Sequence, residues 1–143
     1  MAERSATTAW DGDLPHGKGV LNGASGALND LEVTWASRTQ RSDGKTSPEE
    51  LIAAAHSSCF SMALSNELSQ GGHDPEHLEV TAKVTLDQKG GAPTVTTSEL
   101  SVTGRVPGID QAAFEAAAQA AGKNCPISRA LAGVDISVTA TLA

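Results

Sequence analysis

The sequence predicts an α+β fold in which largely antiparallel sheets surround one long helix. Three observations carry this reading. A stretch from Leu51 to Leu64 bears no fully charged side chain and is bracketed by helix start and stop signals. Segments of alternating apolar residues lie on both sides of it. The order of elements, three strands, long helix, two strands, helix, short helix and strand, groups strands together rather than alternating them singly with helices.

The first strands are expected at Ala6 to Trp10, Lys18 to Asn22 and Leu31 to Ser37, joined by turns at Asp11-Gly12-Asp13 and Gly23 to Gly26 as an antiparallel meander. Arg38 and Arg41 then leave the third strand, and Ser42-Asp43-Gly44-Lys45 leads into the long helix. Ser47 suits its N-cap and Pro48 its first position, and Glu50 stands at capping-box spacing from Ser47. Gly71 and Gly72 supply the stop, so the helix runs for about 24 residues or roughly 35 Å. A helix without a charged face is usually buried on all sides.

Beyond it, Val80, Ala82, Val84 and Leu86 alternate on one strand face, and Thr94 to Val106 pairs with that strand as a hairpin. Asp110 caps a helix through Ala121, Pro126 opens a short helix to Leu131, and Val134 to Leu142 alternates again as a strand. One sheet and one modest helix leave part of the long apolar helix uncovered. A second copy of the chain, packed through Ser57, Ser58, Ser61 and Ala63, covers it, so a homodimer is expected.

Composition narrows the function. The 143 residues fit a single domain, 1–143, with a sizeable core. A formal charge of −7 without any Lys/Arg cluster argues against nucleic acid as a partner. The first residues lack the apolar run of a signal peptide and no stretch reaches the length of a membrane span, so the expectation is a cytoplasmic protein. Two cysteines, Cys59 and Cys125, are too few for a disulfide scaffold or a thiolate zinc site. His56 and Cys59 form an H-x-x-C pair, but no second ligand pair accompanies them, and a packed histidine is the expectation; no metal or cofactor site is assigned.

A cysteine that reacts needs its thiol pKa lowered. Cys125 precedes Pro126 at a helix start, where unpaired N–H groups favour negative charge. Cys59 lies mid-helix and needs a cation from elsewhere, with Arg38 or Arg41 the available supply. Taken alone, either cysteine reads more readily as a structural residue than as a catalytic one, Cys59 as a small core residue and Cys125 as a neighbour of the helix cap.

The segment SPEELIAAAHSSCFSMAL, together with GKNCPIS and the VPGID turn, resembles the OsmC branch of the OsmC/Ohr family, thiol-dependent peroxidases that reduce organic hydroperoxides. The resemblance covers essentially the whole chain. It implies an OsmC-like, intertwined α+β homodimer, with Cys59 as peroxidatic and Cys125 as resolving cysteine, Arg38 as the family's arginine and Glu49 as its glutamate. It further implies a sulfenic acid on Cys59, a Cys59–Cys125 disulfide, and reduction by an external dithiol, for which the family suggests a lipoyl type. Arg38 would hold the thiolate, and Glu49 would orient the guanidinium. Glu49 and Cys59 are ten residues apart on one helix, roughly 15 Å along its axis and on different faces. Each site is therefore expected to combine Cys59 of one chain with Glu49 of the other. The competing expectation is a non-catalytic stress protein that binds an apolar ligand or partner in the dimer groove.

Overall fold

The computed structural model describes every residue, Met1–Ala143, and resolves two units, Met1–Leu51 and Ile52–Ala143. In the first, strands β1 (Ala6–Asp11), β2 (Lys18–Gly23) and β3 (Leu31–Val33) form the expected antiparallel meander. Gly19 sits where a Cβ would come within 2.8 Å of Val33 and 3.0 Å of the Trp10 ring, so the indole can lie across the sheet.

The third strand ends four residues earlier than the sequence predicts. At Thr34 the side chain accepts from Ser37 N–H while the Ser37 hydroxyl accepts from Thr34 N–H, both at 2.9 Å. This capping box starts a short helix, α1 (Trp35–Thr39). Hydroxyls that satisfy local backbone groups compete with the strand ladder, and here they win. Arg38 consequently lies in the last turn of a helix, not at the end of a strand.

Helix α2 (Pro48–Gln70) has its first turn in this unit. Ser47 Oγ accepts from Glu50 N–H at 3.1 Å, as the sequence predicts. The reciprocal half of the box is replaced, since Glu50 Oε1 accepts from Thr46 Oγ1 at 2.7 Å. At the far end Gly72 has φ +84°, and His73 N–H reaches Leu68 C=O while Gly72 N–H reaches Ser69 C=O. That is a Schellman stop, which needs a glycine in the left-handed region.

In the second unit the rest of α2 is followed by β4 (His77–Lys89), β5 (Ala92–Arg105), α3 (Gln111–Asn124), α4 (Pro126–Ala130) and β6 (Asp135–Leu142). β4 and β5 form the expected hairpin, with a register shift at Thr85/Leu86. β6 corrects the antiparallel expectation, because it pairs with β5 in parallel. Two helices intervene between these strands, and a crossover of that length returns the chain to the end where β5 began. β6 is an edge strand, and α3 covers its open side. Gln111 Nε2 donates to Ala140 C=O and Gln111 Oε1 accepts from Leu142 N–H, while Gln119 Nε2 donates to Val138 C=O.

The core of this unit joins Phe60, Leu64 and Leu68 of α2 to Leu100 and Val102 of β5 and to Phe114, Ala118 and Ala121 of α3. Phe114 is fully buried, its ring 2.5 Å from where a Cβ on Gly104 would stand. Such a ring contributes about 1.5–3 kcal/mol by leaving water.

The opposite side of α2 is open in the single chain. Ala54, Ser58, Met62 and Asn66 form an exposed stripe at four-residue spacing, with Met62 69% exposed. Burial on all sides is thus not achieved within one chain. Of the residues expected at a helix contact, Ala63 packs against the core instead. No helix is long and apolar enough to cross a membrane.

Candidate active site

The four residues singled out in the sequence fall into two pairs, one in each unit. In the first unit, Arg38 from α1 meets Glu49 from the first turn of α2. Arg38 Nε donates to Glu49 Oε1 at 2.9 Å, and Nη2 lies 2.8 Å from the same oxygen. The Glu49 side chain is only 10% exposed and that of Arg38 32%. Glu49 Oε2 is buried and has no hydrogen-bond partner. Arg41, the other available cation, is 87% exposed and lies 3.7 Å from Asp43, so of the two arginines it is Arg38 that meets Glu49. The loop between them is fixed by Ser37 Oγ donating to Thr46 C=O and by Thr46 N–H donating to Glu32 C=O.

Beside Arg38 a cavity of about 100 Å³ is lined by Trp10, Leu14, Val33, Thr34, Trp35 and Pro48. Both tryptophans of the chain border it. Its apolar walls went unread in the sequence because they come from β1, the following loop, β3, α1 and α2. The signal available was the concentration of large apolar side chains in the same short segment as Arg38.

In the second unit, Cys59 of α2 and Cys125 at the α3–α4 junction are both free thiols. Cys125 is fully buried and Cys59 partly so. Cys125 ends α3 and begins α4: its N–H donates to Ala121 C=O, and its C=O accepts from Arg129 N–H. Cys125 lies beside Cys59, close enough to bear on its thiol. Burial pushes the Cys59 thiol above its ordinary 9.0, and the neighbouring Cys125 thiol adds to this. The backbone N–H of Ile127, in the first turn of α4, acts the other way by favouring the thiolate. No cationic side chain is among these influences on Cys59.

His56 is the packed histidine that the sequence predicts, with both ring nitrogens engaged. Nδ1 is 2.7 Å from Ser98 Oγ and Nε2 is 2.8 Å from Ser128 Oγ. Burial lowers its pKa, which keeps the ring neutral. Ser98 and Ser128 were not anticipated. The signal for Ser98 was its phase, since Ser98, Leu100, Val102 and Gly104 share the inward face of β5.

The pattern has known counterparts. A family model described as OsmC-like protein matches residues 41–139. Peroxiredoxin OsmC of Escherichia coli K12 is 41% identical over 122 residues, covering 85% of each chain. The organic hydroperoxide resistance protein-like protein of Staphylococcus aureus MSSA476 is 36% identical over 113 residues, covering 76% of this chain and 79% of that one. Among solved structures, an organic hydroperoxide resistance protein from Elizabethkingia anophelis superposes with a TM-score of 0.79 at 25% identity, over 100% of this chain and 98% of that one. OhrB of Bacillus subtilis shares the fold with a TM-score of 0.77 at 23% identity, over 96% and 98% of the two chains. Sequence match and fold agree: this chain belongs to the OsmC-like protein family.

Proposed function

We propose that the protein is a thiol-dependent peroxidase that reduces organic hydroperoxides to alcohols. The observation that carries the reading is the neighbouring pair of free thiols, Cys59 partly accessible and Cys125 fully buried. The names of the relatives support it, one being a peroxiredoxin and another an organic hydroperoxide resistance protein-like protein.

The Cys59 thiolate attacks the terminal oxygen of the hydroperoxide. The O–O bond breaks, the alkoxide leaves and takes a proton to become the alcohol, and Cys59 is left as sulfenic acid. Cys125 then attacks that sulfur, an S–S bond forms, and water departs. A dithiol of lipoyl type, supplied from outside, returns both cysteines to thiols.

Within its own unit Cys59 is held as a thiol, so the first step requires a cation. Arg38 is the residue suited to that work, since Glu49 takes only Nε and one Nη2 proton and other guanidinium donors remain. Because Glu49 stands ten residues before Cys59 on α2, we assign the Arg38–Glu49 pair to the Cys59 of a second copy. This makes the active form a homodimer with two equivalent sites, built along the exposed stripe of Ala54, Ser58 and Met62. The apolar cavity beside Arg38 suits the hydrocarbon part of an organic hydroperoxide better than hydrogen peroxide. We further assign the chain to the cytoplasm, acting as one domain.

The test is turnover of cumene hydroperoxide with dihydrolipoamide. Cys59→Ser should abolish it, and Cys125→Ser should consume one equivalent of peroxide and stop. Turnover retained in Cys59→Ser would end the proposal.

A further inference from the structure

We propose that His56 and Ser128 form a positioning clamp for the resolving step, holding α4 against α2 so that Cys125 stays within reach of the Cys59 sulfur after oxidation. This inference rests on the peroxidase reading above and concerns its second chemical step.

The argument starts from placement. His56 precedes Cys59 by three residues on α2, and Ser128 follows Cys125 by three residues into α4. Residues three apart on a helix lie on neighbouring positions of one face. The contact between His56 and Ser128 therefore lies one turn from the contact between the two sulfurs, and it joins the same two helices. The Nε2 to Oγ distance of 2.8 Å is that of a well-formed hydrogen bond.

α4 is otherwise held by apolar packing, with Ile127 against the core and Cys125 fully buried at its start. It is five residues long, and Cys125, its N-cap, makes no side-chain capping bond. Ser128 is nonetheless buried, and His56 has no exposed surface at all. A neutral imidazole has one donor and one acceptor nitrogen, and a serine hydroxyl can serve either. Ser98 and Ser128 thus satisfy the ring completely, and no polar atom of the three side chains is left unpaired. Removing a partner leaves a buried nitrogen unsatisfied, a loss the fold resists.

The chemistry makes the position matter. When Cys59 carries a sulfenic acid, an added oxygen lies between the two sulfurs or beside them. Disulfide closure requires the Cβ atoms to approach within about 3.5–4.5 Å, with Cys125 behind the S–O bond that breaks. Cys125 supplies the attacking sulfur, hydroxide leaves the Cys59 sulfur and takes the thiol proton, and water is released. Through this step the His56–Ser128 bond remains as a side-chain hydrogen bond joining α2 to α4.

Two serines on one ring provide an internal control. Ser128→Ala cuts the tie to α4, whereas Ser98→Ala cuts the tie to β5. Each removes one hydroxyl and strands one imidazole nitrogen, so their structural costs are matched. The experiment is rapid mixing with one equivalent of cumene hydroperoxide. Sulfenic acid formation is followed by trapping with dimedone, and disulfide formation by quenching with N-ethylmaleimide and intact mass. Ser128→Ala should slow disulfide formation about fivefold, as one lost hydrogen bond warrants. Sulfenic acid formation should stay at the wild-type rate, and dimedone trapping and sulfinic acid should increase. Ser128→Thr should restore closure, and Ser98→Ala should leave it within about twofold. Equal slowing in both alanine variants, or wild-type closure in Ser128→Ala, would overturn the clamp. A wild-type protein that reacts with no hydroperoxide would instead overturn the peroxidase reading on which it stands.

Discussion

Replacing Glu49 by glutamine isolates the charge of the carboxylate that holds Arg38. Oε1 receives two donors from Arg38, at 2.9 and 2.8 Å. Hydrogen bonds to a charged group are worth about 1.5–3 kcal/mol each and neutral ones about 0.5–1.5, so two bonds lose about 2–3 kcal/mol between them. The guanidinium is 32% exposed, and solvent screening cuts that figure to about 1 kcal/mol. The variant should therefore lose about fivefold in kcat/KM for cumene hydroperoxide. Because Oε2 is already buried without a partner, the glutamine nitrogen occupies a place that was unsatisfied before, and stability should fall by no more than that same ~1 kcal/mol. Arg38→Lys, which cannot reproduce the fork, should lose more. A Glu49→Gln enzyme with wild-type kcat/KM would refute the orienting role of the carboxylate.

Other expected outcomes follow from the same geometry. Removing the guanidinium by Arg38→Met should move the pH-rate profile of Cys59 upward, because burial and Cys125 hold that thiol above 9.0 despite the Ile127 N–H, and no cationic side chain of its own unit offsets them; an unmoved profile in stopped-flow assays would show that Arg38 does not act on the thiolate. His56 has a folded-state pKa below 6.5, so the unfolded chain binds the proton more readily. Its contribution to stability is complete above that value and declines as pH falls below it, which urea unfolding between about pH 7.5 and 5.5 should show as a slope that Ser-preserving His56→Gln flattens. Phe114→Ala, emptying a fully buried ring site against Gly104, should cost about 3–5 kcal/mol in urea unfolding. Ser47→Ala removes the hydroxyl that caps α2 and should cost about 1 kcal/mol in the same measurement.

The parts of the molecule written locally were legible in the sequence. Ser47, Pro48 and the Gly71-Gly72 pair set the ends of α2 through groups within a few residues of each other, and Asp110 caps α3 by accepting from Ala113 N–H. Short-range signals of a less usual kind were missed. Thr34 and Ser37 close a capping box with serine in the place where Glu or Gln normally stands, so β-branched Thr34 read as strand and the helix carrying Arg38 read as its continuation. The direction of β6 was not legible because alternation looks the same in a parallel and an antiparallel partner; only the crossover through α3 and α4 decides it. The nearness of Cys59 and Cys125 was legible only through the motifs around each cysteine, since mid-helix and junction positions carry no sign of proximity. The serines around His56 come from β5 and α4, and such long-range partners leave no mark but a polar residue in an inward phase. The open stripe of α2 had its trace in the absence of charge between Leu51 and Leu64, although a single chain covers only one side of it.

The central claim, that Cys59 and Cys125 work as a peroxide-oxidised pair, is tested most directly by counting thiols before and after one equivalent of cumene hydroperoxide and mapping the peptides under non-reducing conditions. The account predicts loss of both thiols and a single cross-linked peptide joining Cys59 to Cys125 within one chain, without covalent dimer. Retention of both thiols, or a disulfide between chains, would contradict it.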